Sequence, residues 1–390
     1  MRIILAGIIG RYPWGGVTWC SLMYLLGLRR LGHEVWYLED TCECNYDPEI
    51  NALATDPGYA LRYISESLAP FGFHGQWCYV DYMGNHHGIA RDRWREICRS
   101  ADLLLVLSGG IWVWRDEYLA IPLKAFIDSD PGFTQLAIHQ ALQDAATDEK
   151  KRWYVEFFRT YDRHFTFGRS IGTLECSVPT CGFHWIPTTQ PVCTDLWQLS
   201  PLPPRRAWTT VMTWVIESFK DVGGNKDQEF LQVLDLPGRF AGTGGPEMEL
   251  AVNGPRDFLA SHGWRCLDAF SISRDLWRYH RYLSESRGEF SVAKHTYVAT
   301  RCGWFSDRTA CYLAAGRPAV VQDTGFSRWL PTGEGLLAWT TPGEAVEELL
   351  RVERDYFRHA RAARRLAQEY LSSDRVLRAL LDHCSTPPSP

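Results

Sequence analysis

Short apolar runs of strand length alternate with longer segments of helical periodicity along most of the chain. The first unit is the clearest: an apolar run at residues 2–8 and a glycine-containing loop precede a helical segment at residues 17–31 and a second apolar run at residues 34–38. A strand, a helix and a second strand in this order form a βαβ unit. The pattern therefore predicts an α/β protein that begins with a parallel sheet.

The same plan starts again after a segment rich in proline and arginine at residues 201–206. An apolar run at residues 209–214 opens this second series, and a short strand is predicted at residues 239–241. A chain of 390 residues is also long for a single hydrophobic core. We therefore predict two domains, residues 1–195 and 207–370, followed by a C-terminal helix and tail at residues 371–390.

One stretch, residues 286–338, combines the features of a phosphate-binding βαβ unit. A strand leads into a polar loop that carries Lys294, and Ser306 or Asp307 then caps a helix with Arg308 in its first turn. The N-terminus of a helix carries a partial positive charge and free N–H groups, both of which favour a bound anion. The stretch therefore predicts a site for a phosphate group at its polar end.

The composition narrows the class of protein. Hydrophobic residues make up 45% and charged residues 22% of the chain, as in soluble globular proteins. The net charge of -5 comes without a basic block, which predicts that nucleic acid is not a partner. No apolar run approaches the roughly 20 residues of a membrane span, and no signal peptide is visible, so we expect a cytoplasmic protein. The 12 cysteines are scattered without metal-ligand spacing, which predicts reduced thiols and no metal site.

Two carboxylates follow the apolar run at residues 123–127, at the end of a strand where open α/β sheets place their ligands. Asp128 and Asp130 are therefore candidates for a general base, and His295 is a third candidate. The alternative for the aspartates is a polar turn that caps the helix beginning near Phe133. The alternative for a single histidine is a structural role.

Motifs at both ends of the chain are shared with a known class of enzymes. The first loop and the turn after the first helix read PWGG (residues 13–16) and RLGHEV (residues 30–35). In the second half, Arg308 is followed by YLAAGRPAV (residues 312–320) and by further glycine-containing turns. With these motifs the chain resembles the GT-B class of nucleotide-sugar-dependent glycosyltransferases.

The resemblance implies two Rossmann-like domains with parallel sheets that face each other across a cleft. The C-terminal domain would hold a nucleotide diphospho-sugar as co-substrate. The sugar would pass to a hydroxyl of a small-molecule or glycan acceptor, in natural-product or polysaccharide biosynthesis, without a metal ion or a further cofactor. The donor-binding residues expected from the motifs and their neighbouring loops are Gly15, Gly16, Lys220, Gly242, Thr243, Glu289, Lys294, Ser306, Asp307, Arg308, Thr324 and Gly325.

The chain departs from the class at specific positions. Many retaining members carry two glutamates where this chain has Gly303 and Cys311, and one of those glutamates grips the donor ribose. Asp307 or Glu289 could take over that contact. No histidine lies at residues 10–16, where inverting members often have their catalytic histidine. The stereochemical outcome therefore stays open.

Each expected contact also has a structural alternative. Arg308 could pair with a neighbouring carboxylate, the glycine pair of the first loop could be a plain turn, and the loop lysines, Lys226 among them, could be solvated. Two other functions also stay open. An NAD(P)-dependent oxidoreductase could use Glu39 or Asp40 on a ribose, although the dinucleotide motif GxGxxG is missing. A non-catalytic nucleotide-sugar-binding protein could retain a degenerate donor site.

Overall fold

The computed structural model describes residues 1–197, 203, 205–216, 223–240 and 245–386, which form two parallel sheets with helices on their faces. The strands are β1 Arg2–Ala6, β2 Glu34–Glu39, β3 Asn45–Asp47, β4 Ala52–Ala54, β5 Trp77–Val80, β6 His86–His87, β7 Leu103–Leu107, β8 Leu123–Asp128, β9 Arg163–Thr166, β10 Trp185–Pro187, β11 Ala207–Thr213, β12 Glu247–Asn253, β13 Arg265–Asp268, β14 Gly288–Ser291, β15 Ala319–Gln322 and β16 Leu336–Trp339. The α-helices are α1 Gly15–Arg30, α2 Gly58–Leu68, α3 Arg91–Arg99, α4 Asp116–Leu119, α5 Phe133–Asp144, α6 Glu149–Arg159, α7 Lys226–Phe230, α8 Arg256–Ser261, α9 Ala269–Ser273, α10 Leu276–Glu285, α11 His295–Thr300, α12 Asp307–Ala314, α13 Pro342–Arg354, α14 Tyr356–Tyr370 and α15 Ser373–Ser385.

The first sheet has the strand order β10-β9-β8-β7-β1-β2-β5-β6, and the second has the order β13-β12-β11-β14-β15-β16. All neighbouring pairs in these two sheets are parallel except the β5–β6 hairpin at one edge. Strands β3 and β4 form a separate antiparallel hairpin. This arrangement confirms the predicted α/β class with two Rossmann-like sheets.

Each sheet has a point at which the chain order reverses direction. In the first sheet this point lies between β1 and β7, and in the second sheet it lies between β11 and β14. Open α/β sheets bind ligands in the crevice outside the carboxyl ends of the strands at such a point. The topology therefore marks one candidate ligand crevice on each half of the molecule.

Helix α1 is apolar on most sides because it is covered on most sides. It packs on the first sheet, and α10 and α15 cover it from the second half of the chain. Gly27 permits the contact with α15, since a Cβ added there would lie 2.4 Å from Cδ1 of Leu377. At the start of α15, the N–H of Ser373 donates to the carbonyl of Val192 at 2.8 Å. The last helix of the chain therefore lies against the first half.

Two local predictions are corrected by the structure. The strand predicted at residues 239–241 is not formed where the structure describes it, because Pro237–Phe240 is a short 3-10 helix and residue 241 lies outside the described part. The strand that forms in this region is β12, which the sequence pattern did not predict. It reads EMELAVN and pairs on both sides within the second sheet. In addition, the polar loop after β14 is short, since His295 already begins helix α11.

Candidate functional site

Both crevices open onto one cleft between the two halves of the molecule. Two adjoining cavities of about 260 Å³ and about 290 Å³ fill this cleft. The carboxyl ends of β1 and β7 contribute Ile8 and Leu107 to the first cavity, and the end of β11 contributes Val211 to the second. Five residues line both cavities, which makes the cleft continuous: Val17, Lys226, Lys294, Asp307 and Arg308.

Three cations meet in this cleft, and two of them are already paired. Arg308 donates from Nε to Oε1 of Glu289 at 2.7 Å and from Nη1 to the carbonyl of Val211 at 2.7 Å. Lys294 donates to Asp130, which belongs to the opposite half of the molecule. Glu289 is fully buried on β14, so the Arg308–Glu289 pair is shielded from water.

Lys226 is the third basic residue, and the carboxylates of Asp307 and Glu289 attract it only at longer range. Only 9% of its surface is exposed, and its ammonium makes no hydrogen bond or ion pair with the described residues. Burial lowers its pKa well below the ordinary lysine value, and the charges of Arg308 and Lys294 lower that pKa further. A buried amine without an ion pair gains its proton more readily when an anion lies beside it, so this position favours an anionic ligand. The solvated alternative considered for this lysine is therefore wrong.

The first turn of α12 adds backbone donors on the same side of the cleft. Ser306 is the N-cap residue, as predicted, although its side chain makes no capping hydrogen bond. Asp307 follows it and lines both cavities. Burial raises the pKa of Asp307 above its ordinary value, although Arg308 opposes the shift. A carboxyl group that accepts a proton more readily repels a neighbouring phosphate less.

Asp130 faces these cations from the first half. Its carboxylate accepts hydrogen bonds from Lys294 and from the hydroxyl of Tyr297. Burial works against its ionisation, but Lys294 and Tyr297 outweigh that effect and hold the pKa below the ordinary aspartate value. Close by, Trp304 donates from Nε1 to the carbonyl of Ser129 at 3.1 Å. These contacts join the two halves at the edge of the cleft.

Asp128, the other candidate aspartate, is fully engaged in the first half. Thr134 donates to its Oδ1 at 2.8 Å, and Gln135 and Thr166 donate to its Oδ2 at 2.8 Å each. Burial raises its pKa to about 6 although these hydrogen bonds oppose the shift. Asp128 thus anchors the start of α5, in agreement with the turn-and-cap alternative, and Asp130 is the aspartate that reaches the cleft.

The other predicted residues are distributed around the cleft rather than gathered in it. Gly16 lines the second cavity, and Gly15 lets α1 approach Tyr279, since a Cβ there would lie 2.5 Å from Cβ of that tyrosine. Thr324 and Gly325 form the turn behind Trp304, whose carbonyl accepts the Thr324 hydroxyl at 2.5 Å.

His295 and three further predicted residues need separate mention. His295 is bound through Nδ1 to Oε1 of Glu229 at 2.6 Å and does not line either cleft cavity among the described residues. Lys220, Gly242 and Thr243 lie outside the described residues.

Lys226 and Trp304 are two residues of the cleft that the sequence did not single out as part of the site. The signal for Lys226 was its position, because it follows Gly223-Gly224 in the loop after the first strand of the second half. The equivalent loop of the first half precedes α1 and also carries a glycine pair. No local pattern marks Trp304, because its role depends on a contact with Ser129, 175 residues earlier.

Both acidic residues of the oxidoreductase alternative are already occupied. Glu39 accepts the backbone N–H groups of Gly10, at 2.8 Å, and of Arg11. Asp40 is buried and paired with Arg115, whose Nη2 lies 3.0 Å from Oδ1 of that aspartate. Neither carboxylate is available to the hydroxyls of a ribose, which removes the residues on which that alternative depended.

We expect Glu39 to give the protein a pH-dependent stability. Burial raises its pKa to about 7 from the ordinary 4.5, so the folded state holds this proton more tightly than the unfolded state. The stability that this proton gives the folded state is fully present below about pH 4.5 and is lost as the pH rises through about 7. The free energy of unfolding should fall by about 3 kcal/mol over this range, and Glu39→Gln should flatten the dependence. Urea unfolding at several pH values measures this, with the exposed Glu66→Gln as control; equal slopes in both variants would contradict it.

The cysteines, the metal-ligating side chains and the helix lengths bear on the class of protein. All 12 cysteines are free. In the parts of the chain that are described, no group of three or more His, Cys, Asp or Glu side chains is arranged to hold a metal ion. Within the same residues, every helix is too short or too polar to cross a bilayer.

Comparison with known proteins gives matches at the level of structure alone. No family model matches the chain, and no curated protein sequence matches it significantly. An alpha-glucosyltransferase in complex with UDP matches with a TM-score of 0.58 and 12% identity, over 99% of this chain and 100% of that chain. AviGT4, a glycosyltransferase involved in avilamycin A biosynthesis, matches with a TM-score of 0.52 and 12% identity, over 98% and 97%. Sucrose-phosphate synthase from Thermosynechococcus elongatus matches with a TM-score of 0.53 and 11% identity, over 98% of each chain.

These matches correct the exclusion of nucleic acid. An alpha-glucosyltransferase in complex with UDP and a 13-mer DNA matches with a TM-score of 0.58 and 11% identity, over 99% of this chain and 100% of that chain. A protein of this fold is therefore known with DNA bound. The prediction relied on the net charge of -5, but a net charge summed over the whole chain does not report the local potential at a binding surface. The exclusion does not hold.

Proposed function

The chain has the GT-B fold of the nucleotide-sugar-dependent glycosyltransferases, and we propose that it transfers a sugar from a nucleotide diphospho-sugar to an acceptor hydroxyl. In this reaction the bond between the sugar C1 and the diphosphate oxygen breaks. A new bond forms between C1 and the acceptor oxygen, and the acceptor proton passes to a base. The nucleoside diphosphate leaves.

The observation that carries the proposal is the position of Lys226, a buried lysine that makes no hydrogen bond or ion pair with the described residues and lines both cleft cavities. The leaving diphosphate gains negative charge as the sugar bond breaks, and preorganised cations and N–H groups stabilise that charge. The ammonium of Lys226 is not held by a hydrogen bond or an ion pair to any described residue, so it can contact a phosphate where both cleft cavities meet. In this proposal the diphosphate occupies the space between Lys226, Arg308 and the first turn of α12. Asp307 is assigned to the donor ribose on the same side.

The nucleoside is assigned to the cavity on the second half. This cavity is lined by the ends of β11 and β12 and by the start of α9, including Val211, Asn253 and Phe270. The three cations take the role that a metal ion fills in other sugar transferases, so the proposed reaction is metal-independent. The sugar then points towards Asp130 in the adjoining cavity.

Asp130 is assigned as the base that accepts the acceptor proton. It is half-exposed at 44%, it lines the first cavity, and its lowered pKa keeps it in the ionised form that can take a proton. The ion pair with Lys294 holds its carboxylate across the cleft. Binding of a diphosphate gives Lys294 a second anionic partner and so loosens its hold on Asp130.

The two neighbouring aspartates should give opposite results when each is changed to asparagine. Asp130→Asn should lower kcat by about 10²- to 10⁴-fold because the base is lost, and it should destabilise the fold less than Asp128→Asn does, since the amide oxygen can still accept from Lys294 and Tyr297. Asp128→Asn should lower the free energy of unfolding by about 2 kcal/mol, because an amide cannot accept all three hydrogen bonds. It should leave the turnover of the folded enzyme within a few-fold of wild type. Steady-state kinetics and urea unfolding of both variants show which aspartate is the base. A large loss of turnover in Asp128→Asn alone would reverse the assignment.

The function itself is tested in two steps. A thermal-shift panel of UDP, GDP, dTDP and their sugar conjugates, with NAD and NADP as comparison, should show stabilisation by a nucleoside diphosphate and not by the dinucleotides. The stabilising nucleotide-sugar is then incubated in EDTA with candidate acceptors, including a duplex oligonucleotide, and the products are identified by mass spectrometry. Release of nucleoside diphosphate supports the proposal. Binding without any cleavage of the sugar bond would favour the non-catalytic binding protein.

A further inference from the structure

A third cavity opens beside the cleft, entirely within the first half of the molecule. It has a volume of about 260 Å³ and shares Ser108, Ser129 and Asp130 with the neighbouring cleft cavity. Whatever binds in it therefore lies next to the carboxylate assigned as the base. We call it the aromatic pocket, because its walls are formed largely by Trp112, Phe126, Phe133, Tyr154 and Phe158.

The aromatic walls are rigidly packed. Trp112 stacks on Tyr154 with ring centroids 6.1 Å apart and an interplanar angle of 19°. Phe126 meets Phe158 edge to face at 5.1 Å. Phe126 and Phe158 are almost fully buried, whereas Trp112 and Tyr154 are half-buried at the opening. Interlocked rings of this kind keep their positions when a ligand enters, so the pocket is preformed.

Half of the residues that line the pocket have polar side chains, but most of these side chains are engaged in hydrogen bonds with the protein itself. The hydroxyls of Ser108 and Ser129 bond to each other, and Thr134 donates to the fully engaged Asp128. The hydroxyl of Tyr154 makes no hydrogen bond with the described residues, and burial raises its pKa to about 12, so it remains a neutral donor. The hydroxyls of a polyhydroxylated sugar would compete with these hydrogen bonds within the protein, whereas a flat ring with a single hydroxyl buries its faces against the aromatic walls and leaves the hydrogen bonds intact.

We propose that the aromatic pocket binds the acceptor, and that the acceptor is a flat, one- or two-ring aromatic compound carrying a hydroxyl group. The proposal rests on the glycosyl transfer proposed above and names the substrate class. The ring stacks among Trp112, Phe133 and Phe158, and its hydroxyl points to Asp130 at the junction with the cleft. The hydroxyl oxygen attacks C1 of the sugar, its proton passes to the Asp130 carboxylate, and the nucleoside diphosphate leaves.

The test uses 2-naphthol as the flat acceptor and methyl glucoside as the polar comparison, each added to the full-length protein. Binding is measured by saturation-transfer NMR and calorimetry without a donor, and glycoside formation by mass spectrometry with the donor from the panel above. Ala137 lines the pocket on α5, and Gln140 is exposed on the same helix outside it. Ala137→Phe fills the pocket, and Gln140→Phe is the matched control. Trp112→Ala, which removes a half-buried wall, is the second variant in case Ala137→Phe does not fold.

We expect 2-naphthol to bind and to be glycosylated by wild type and Gln140→Phe. Ala137→Phe and Trp112→Ala should each lose at least tenfold in 2-naphthol affinity and keep the wild-type affinity for the nucleoside diphosphate. The assignment of the pocket would be overturned if the protein preferred methyl glucoside, or if neither pocket variant changed the binding of 2-naphthol. Cleavage of the donor in the same experiment would still support glycosyl transfer. If no nucleotide-sugar is cleaved, the proposed function fails, and the binding comparison alone still decides which ligand class the pocket takes.

Discussion

Lys226→Met should weaken the binding of the nucleoside diphosphate by about 10- to 100-fold, because it removes one charge-assisted contact of about 1.5–3 kcal/mol. Methionine has nearly the same length and keeps the packing of the stem, so the variant changes the charge and little else. Wild type holds this ammonium buried and unpaired in the cleft. Removing a buried amine that makes no hydrogen bond or ion pair in the described structure should also leave the free protein as stable as wild type or more stable.

Calorimetry with the nucleoside diphosphate and with the corresponding nucleoside measures this effect. The diphosphate should lose affinity, and the nucleoside, which has no phosphate to contact Lys226, should not. Lys150→Met, on the exposed surface of α6, serves as the control because it removes an equal charge away from the cleft. Equal affinities of Lys226→Met and wild type for the diphosphate would remove the observation on which the proposed function rests.

In wild type, diphosphate affinity should also decline with rising pH at values below those at which an ordinary lysine deprotonates, since the pKa of Lys226 is lowered.

Arg308→Met should lower the free energy of unfolding by about 3–5 kcal/mol, because it leaves the buried carboxylate of Glu289 without a counter-ion. Glu289 is fully buried, and its second oxygen already lacks a hydrogen-bond partner in the described structure. The same substitution should weaken diphosphate binding, since the guanidinium lines both cleft cavities. A loss of affinity in the single variant would therefore mix a local effect with a global one.

The double variant Glu289→Leu/Arg308→Met separates the two effects. It removes both charges, so most of the lost stability should return, because apolar groups can replace a buried ion pair at little cost. Diphosphate binding should stay weak because the cation is still absent. Urea unfolding and calorimetry provide both readings, and Arg358→Met is the control because its pair with Glu334 is exposed and should contribute little to stability. If Arg308→Met unfolds at the same urea concentration as wild type, the pair has no structural role.

The two predictions address different functions of neighbouring cations. Lys226 is costly to the free protein and useful only when an anion is bound, whereas Arg308 is neutralised in advance by Glu289. The Arg308–Glu289 pair therefore stabilises the folded site, whereas Lys226 contributes to the binding of the ligand. Lys294 lies between these cases, since its partner Asp130 belongs to the other half of the molecule.

The amino-acid sequence by itself determined the class of the fold and most of its elements. Apolar runs and helical periodicity are local properties, so β1, α1 and β2 begin and end within about two residues of the bounds that their pattern predicts. The GT-B motifs also lie in continuous stretches of chain, and for this reason they indicated the fold correctly. β12 was missed because its alternating glutamates resemble an exposed segment, whereas pairing on both sides places it inside the sheet.

Only the tertiary structure decided which polar residues belong to the candidate site. Asp128 and Asp130 are two residues apart and equal in chemistry, yet one is enclosed by Thr134, Gln135 and Thr166 and the other faces a lysine 164 residues away. Lys226 resembled a solvated loop lysine until the packing of both halves removed water from around it. The physical reason is that burial and charge pairing depend on residues that are distant in the chain. A local pattern predicts where a strand lies, but the residues that surround a side chain at the end of that strand are determined by the fold as a whole.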